Sequence, residues 1–287
     1  MLPTTKTPPR NSLADLTVLV YGPTKIGKST WCSHSEGALF LATEAGLNNL
    51  EAFQVPISTW EQFLAACGEI AAGNHPFKTV IVDTVDNLYR MCADYVCAKH
   101  KVEHESDLAY GKGYALITNE FYRVLNKLAL LPYGLFLISH AQEREFETRT
   151  GKVMRVVPTL PDKARKVVLG MADMVLFCDL DVAPGPDGKP VARRVMRTKP
   201  SASYEAGDRT GRLPEVIDLD YRKFLDAFAG ATTAARPTNP PSQSAPPGAP
   251  AAAATAPTVS APPVPATSAP VAPGTHAAGP KPRAATK

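Results

Sequence analysis

Short apolar runs alternate with longer segments of helical spacing through most of this chain. Residues 17–21, 38–42, 78–83 and 134–139 have the length of buried strands, whereas 60–72, 85–100 and 114–130 have the length and spacing of amphipathic helices. Such alternation predicts a parallel sheet wrapped by helices. Further along, residues 143–157 around Thr150-Gly151, and 174–181 with 191–197 around Asp187-Gly188, read as antiparallel hairpins. The expected fold class is therefore α/β: a mostly parallel sheet flanked by helices, with an antiparallel extension toward the C-terminus.

The pattern stops near residue 230. Of the 287 residues, those from 231 onward are almost only Ala, Pro, Thr, Ser and Gly, and they hold 14 of the 28 prolines. Large apolar side chains are needed to offset the entropy of ordering a chain, so 230–287 reads as a disordered Pro/Ala-rich tail. It is either an inert solubilising tail or a partner-binding arm. The Pro/Thr-rich residues 1–14 read as a flexible N-terminal arm, which leaves 15–229 as the folded domain.

Charge follows the same division. The formal net charge of +4 comes from Arg236, Lys281, Arg283 and Lys287 in the tail, where no acid occurs. The remainder is balanced, so nucleic-acid contact would need a local patch. Such a patch is offered by 143–166, where Arg144, Arg149, Lys152, Arg155, Lys163, Arg165 and Lys166 face Glu143, Glu145, Glu147 and Asp162. Phe146 is its one aromatic, and the same residues suit a solvated hairpin. No apolar run reaches the ~20 residues of a membrane span, and the N-terminus lacks the apolar core of a signal peptide. The five cysteines lack framework spacing and fit reduced thiols of a cytoplasmic protein. Cys92, Cys97, His100 and His104 lie within one expected helix and its end, where four ligands on one rod cannot surround zinc, so core thiols and exposed imidazoles are expected.

The first apolar run leads into Gly22-Pro23-Thr24-Lys25-Ile26-Gly27-Lys28-Ser29, which fills every position of G-x-x-x-x-G-K-[ST]. Glycines there let successive backbone N–H groups converge on phosphates, and the next helix presents its positive end to them. Lys28 would reach the β and γ phosphates, the Ser29 hydroxyl would ligate Mg²⁺, and Thr30 would approach the α phosphate. In parallel sheets ligands lie beyond the carboxyl ends of strands, so the residue after each run matters. Asp83 closes the third run and is the expected Mg²⁺-side carboxylate, with Asp86 expected as a surface or capping residue. Glu44 follows the second run and is a candidate general base for an attacking water, the alternative being a solvated loop acid. His140 ends the fourth run as a candidate reporter of the γ phosphate, the alternative being a satisfied core histidine.

With these ends in place the chain resembles the RecA-like ATPases, and most closely the compact RecA-core nucleotide-binding proteins of phages, some of which act in single-strand annealing recombination. The matching stretches are Gly22 to Thr30, Leu41 to Leu47, Thr79 to Asp83, Tyr110-Gly111-Lys112-Gly113-Tyr114, Leu137 to His140, and Arg197-Thr198-Lys199-Pro200 with Asp208-Arg209-Thr210-Gly211. The resemblance covers about 15–228. It implies a RecA-like P-loop NTPase core that hydrolyses ATP with Mg²⁺, Glu44 as base and His140 as sensor. It further implies a homo-oligomer in which basic residues cross a subunit interface. The usual Lys-x-Arg pair reads Gly207-Asp208-Arg209 here, leaving Arg209 as the finger candidate and Lys199 as its substitute beside the nucleotide, the alternative for either being a surface charge. Implied partners are single-stranded DNA and a phage single-strand-binding or replication protein, in the host cytoplasm. An ATP-binding switch with little turnover is the competing reading; a small-molecule kinase has only the shared phosphate loop in its favour.

Overall fold

Strand β1 (Thr17–Gly22) is buried along its whole length, because helices cover both faces of the sheet at this point. Its side chains alternate: Leu19 and Tyr21 enter one hydrophobic layer, Val18 and Val20 the other. The same two-sided burial holds for β4 (Thr79–Asp83) and for the first part of β5 (Gly134–Thr148), which explains why these segments read as continuous apolar runs. The structure, a computed structural model, describes residues 2–230 except Pro9, Thr150, Gly185, Pro186 and Gly188. The expected tail lies outside the described residues, as does part of the turn at Asp187-Gly188.

The central strands are parallel. β1 pairs with β5 on one side and with β7 (Met174–Pro184) on the other. β4 pairs with β5 and with β2 (Ala38–Ala42), and β3 (Phe53–Pro56) closes that side. Beyond β7 the sheet turns antiparallel through β8 (Pro190–Arg197) and β10 (Val216–Asp218), while β6 (Gly151–Pro158) pairs with β5, and β9 (Gly207–Asp208) with β7. The expected α/β class, with its antiparallel extension, is the fold observed.

One face is covered by α2 (Trp60–Ala72), α3 (Val85–His100), α4 (Lys112–Ala129) and α5 (Asp162–Met171), which bury Trp60, Phe63, Leu88, Phe121 and Val168. The other is covered by α1 (Lys28–Ser33) and α6 (Tyr221–Gly230), where Trp31 lies edge-on to Tyr221 and Phe224 with centroids 5.0 and 4.9 Å apart. α2 begins at Thr59, whose hydroxyl accepts from Gln62 N, and ends at Gly73 in the left-handed region. Among the described elements, β3, α5, α6 and the short strands β9 and β10 were not expected from the sequence. β3 is exposed throughout and ends in proline, so no apolar run marks it. α5 is a Lys/Arg-rich segment that shows little of its apolar side, and α6 abuts the change in composition. No helix among the described residues is long and apolar enough to cross a membrane.

Candidate functional site

Where β1 ends, its backbone runs against β7. A Cβ on Gly22 would clash with the Cys178 carbonyl oxygen and stand 2.9 Å from Cys178 Cβ, so only glycine lets the chain leave the sheet here. The loop then turns with Lys25 at φ 62° and Gly27 at φ 112°, the latter capping α1. Ile26 is buried and anchors the loop, whereas Pro23, Thr24 and Lys25 form an exposed rim and Thr30 is exposed on the first turn of α1. Lys28 points inward. Its ammonium donates to Gly22 O at 2.9 Å and Pro23 O at 2.8 Å. Burial draws its pKa below that of an ordinary lysine, against the opposing pull of Cys178, Asp83, Asp86 and Glu44.

The carboxyl ends of β4 and β2 deliver the acids to the same rim, and β5 delivers the imidazole from mid-strand: His140 does not end its strand as expected but closes the part paired in parallel with β1, beyond which β5 runs on to Thr148 against β6. Ser29 Oγ donates to Asp83 Oδ2 at 2.6 Å, and burial pushes the Asp83 carboxyl up against the effect of that bond. Thr43 Oγ1 accepts from Thr84 N at 2.7 Å and donates to Thr84 O at 2.9 Å, while Thr43 N donates to Asp83 O. These bonds tie the end of β2 to the end of β4 and carry Glu44 over the site. Glu44 Oε2 accepts from Asn87 Nδ2 at 3.0 Å, and Oε1 lies 3.5 Å from His140 Nε2. His140 Nδ1 is buried without a hydrogen-bond partner among the described residues.

Asp86 corrects one expectation. It is neither a surface residue nor a cap: its carboxylate accepts from Ser139 Oγ at 2.8 Å and from His140 N at 2.9 Å. The cause is the abrupt start of α3 after β4, whose first turn brings Asp86 back across β5 at Ser139 and His140. Burial raises its pKa, opposed by the bonds from His140 and Ser139.

Two expected basic residues lie elsewhere. Because β8 runs antiparallel to β7, it carries Lys199 back down the sheet, where its ammonium meets Asp208 Oδ2 at 3.5 Å. Arg209 donates to Gly170 O and lies 3.8 Å from Asp173, at the amino end of β7 and β1. Neither joins Lys28 of the same chain, so the cofactor-side placement expected for Lys199 is not formed within one chain. Arg194, which the sequence did not single out, does reach the loop: its Nη1 donates to Ile26 O at 3.3 Å.

The basic segment 143–166 folds back on itself. Arg144 pairs with Asp162, Lys152 with Glu145, and Arg165 with Glu205 and Asp162. Arg155 donates to Ser201 O and Tyr204 O, and Phe146 lies under Arg144, Arg155 and Arg165. The alternation of the β5–β6 hairpin puts Glu143, Glu145 and Glu147 on its exposed side. Lys163 sits over Tyr114, and Arg149 and Lys166 carry no ion pair among the described residues. Of the cysteine–histidine group, Cys92 and Cys97 are buried, while His104 caps a short 3₁₀ turn over Glu105–Asp107.

The oxygen donors Ser29 and Asp83, adjoining a phosphate-type loop, suit Mg²⁺, which takes one or two protein oxygens and completes its shell with phosphate and water. A family model described as an AAA domain matches residues 14–210. A relative, the SPbeta prophage-derived uncharacterized protein YorG of Bacillus subtilis (strain 168), is 26% identical over 166 residues, covering 56% of this chain and 49% of that protein. The chain thus spans about half the length of the curated relative it matches.

Proposed function

Because the chain belongs to the AAA domain family of nucleotide-binding P-loop proteins, we propose that it hydrolyses ATP at the rim formed by Lys28, Asp83, Glu44 and His140. The observation that carries this reading is Glu44, held between Asn87 and His140 and near enough to Lys28 and Asp83 to act on the charge of both. Lys28 exchanges its carbonyl partners for the β and γ phosphates, and the N–H groups of the Gly22–Ser29 loop hold the remaining phosphate oxygens. Ser29 and Asp83 hold Mg²⁺, which offsets phosphate charge when bound. Glu44 accepts a proton from a water whose oxygen attacks the γ phosphorus as the bond to the β,γ-bridging oxygen breaks, leaving ADP and phosphate. His140 donates to the γ phosphate from the position it holds beside Glu44.

Steady-state turnover and nucleotide binding test this together. Lys28→Ala is expected to abolish both, whereas Glu44→Gln keeps binding and lowers kcat by about 10²–10⁴-fold, the usual contribution of a general base. Unchanged turnover in Glu44→Gln overturns the assignment.

The family match does not single out the RecA-like annealing group, and action on single-stranded DNA in a phage setting is the finer part of the proposal. With four of the seven basic residues of 143–166 engaged internally, the contact falls to Arg149, Lys163 and Lys166. Their neutralisation would weaken oligonucleotide binding and flatten its salt dependence. Assistance by Arg209 or Lys199 would require a second copy of the chain. Their distance from Lys28 favours, as the second reading, an ATP-dependent switch with slow turnover. Stimulation of turnover by oligonucleotide separates the two.

A further inference from the structure

The nucleotide reading leaves open which part of this chain, beyond the phosphate loop, meets the bound ligand. The β7–β8 hairpin projects past the carboxyl edge of the sheet: Gly22 abuts Cys178, and Arg194 stands opposite Leu180, farther along the same strand. The backbone of Arg194 is pinned there by the bond from Leu219 N to its carbonyl at 2.9 Å. Its guanidinium lies against the loop, with Nη1 bonded to Ile26 O and 3.0 Å from where a Cβ on Gly27 would be.

The charge balance on β8 sets this arginine apart. Arg193 pairs with Asp181 at 2.7 Å and Arg197 with Asp179 at 2.8 Å. Arg194 is exposed and has no acidic partner among the described residues. A guanidinium carries five N–H donors, and the bond to Ile26 O engages only Nη1. An unpaired arginine beside a loop built to gather phosphate oxygens is placed to meet an anion.

We propose that Arg194 is a nucleotide-contacting residue supplied in cis by the antiparallel extension, its free N–H donors directed at the phosphate–ribose part of a bound nucleoside triphosphate. This rests on the nucleotide reading above. The test is titration of the full chain with ATP and with ADP by calorimetry, at two salt concentrations, alongside melting temperatures without nucleotide. Arg194→Ala is expected to bind both nucleotides about tenfold more weakly, with the difference shrinking at high salt and the nucleotide-free melting temperature unchanged. Arg194→Lys should recover part of the affinity. Arg193→Ala, which removes the same charge from the next position, should bind as the wild type does. Wild-type affinity in Arg194→Ala, or an equal loss in Arg193→Ala, overturns the assignment. So does a loss of affinity matched by a lower melting temperature. Failure of the wild-type chain to bind ATP or ADP overturns the nucleotide reading beneath it.

Discussion

Replacing Asp86 separates the role of its shape from the role of its charge. The carboxylate receives the Ser139 hydroxyl on one oxygen and the His140 amide on the other. Asp86→Ala strands both donors at a buried strand end. Hydrogen bonds to a charged acceptor contribute about 1.5–3 kcal/mol each, but removing a carboxylate whose burial already raises its pKa returns part of that. The net expectation is a loss of about 2–4 kcal/mol, or roughly 4–16 °C in melting temperature for a domain of this size. Turnover should fall as well, because His140 loses the anchor that fixes it beside Glu44. Asp86→Asn differs. Its amide oxygen takes over the bond from His140 N, and its NH₂ donates to Ser139 Oγ, whose own proton turns to His140 O, already 3.1 Å away. Both donors stay satisfied and a buried charge is gone, so the stability change should stay within about 1 kcal/mol with most of the turnover retained. Urea unfolding followed by the fluorescence of the buried Trp31 and Trp60, together with ATPase rates, reads both quantities. An Asn variant as damaged as the Ala variant would refute the reasoning and make the charge itself the requirement.

Two further outcomes follow from the loop. Gly22→Ala forces a Cβ into β7 beside Cys178; displacement of β1 should cost about 1–3 kcal/mol and weaken nucleotide binding, and wild-type stability in this variant would contradict the packing. Burial lowers the pKa of Lys28 in the free protein. Its charge is therefore lost, as pH rises, before that of an ordinary lysine at 10.5. ATP affinity should hold at neutral pH and decline on the alkaline side below that value; affinity that stays level up to pH values where exposed lysines titrate would refute it.

The parts of the site that the sequence exposed are those where one strand end carries one polar residue after a buried run. Gly22 to Ser29, Glu44 and Asp83 are of this kind; His140 follows a buried run too, although its strand continues to Thr148, and parallel pairing of β1, β5, β4 and β2 is enough to bring them to one edge. Residues whose role depends on how elements cross were not visible. Asp86 and Asn87 act through the angle at which α3 leaves β4, and nothing in their spacing states that the first turn folds over β5 rather than away from it. Arg194 lies 166 positions after Lys28 in the chain and reaches the loop only because the β7–β8 hairpin overshoots the edge, a property of register. Charge proved the least informative pattern. The basic run of 143–166 read as either a nucleic-acid patch or a solvated hairpin; strand alternation turns Arg144 and Arg155 toward Phe146 and the glutamates outward, and Arg165 reaches the same ring from α5. The direction of a side chain, fixed by pairing, decides what a charged segment can touch; its count of lysines and arginines does not. The same reasoning distinguishes Arg194 from Arg193: two adjacent residues on one strand alternate between its sides, one closing an ion pair with Asp181 and the other lying on the loop that holds Lys28.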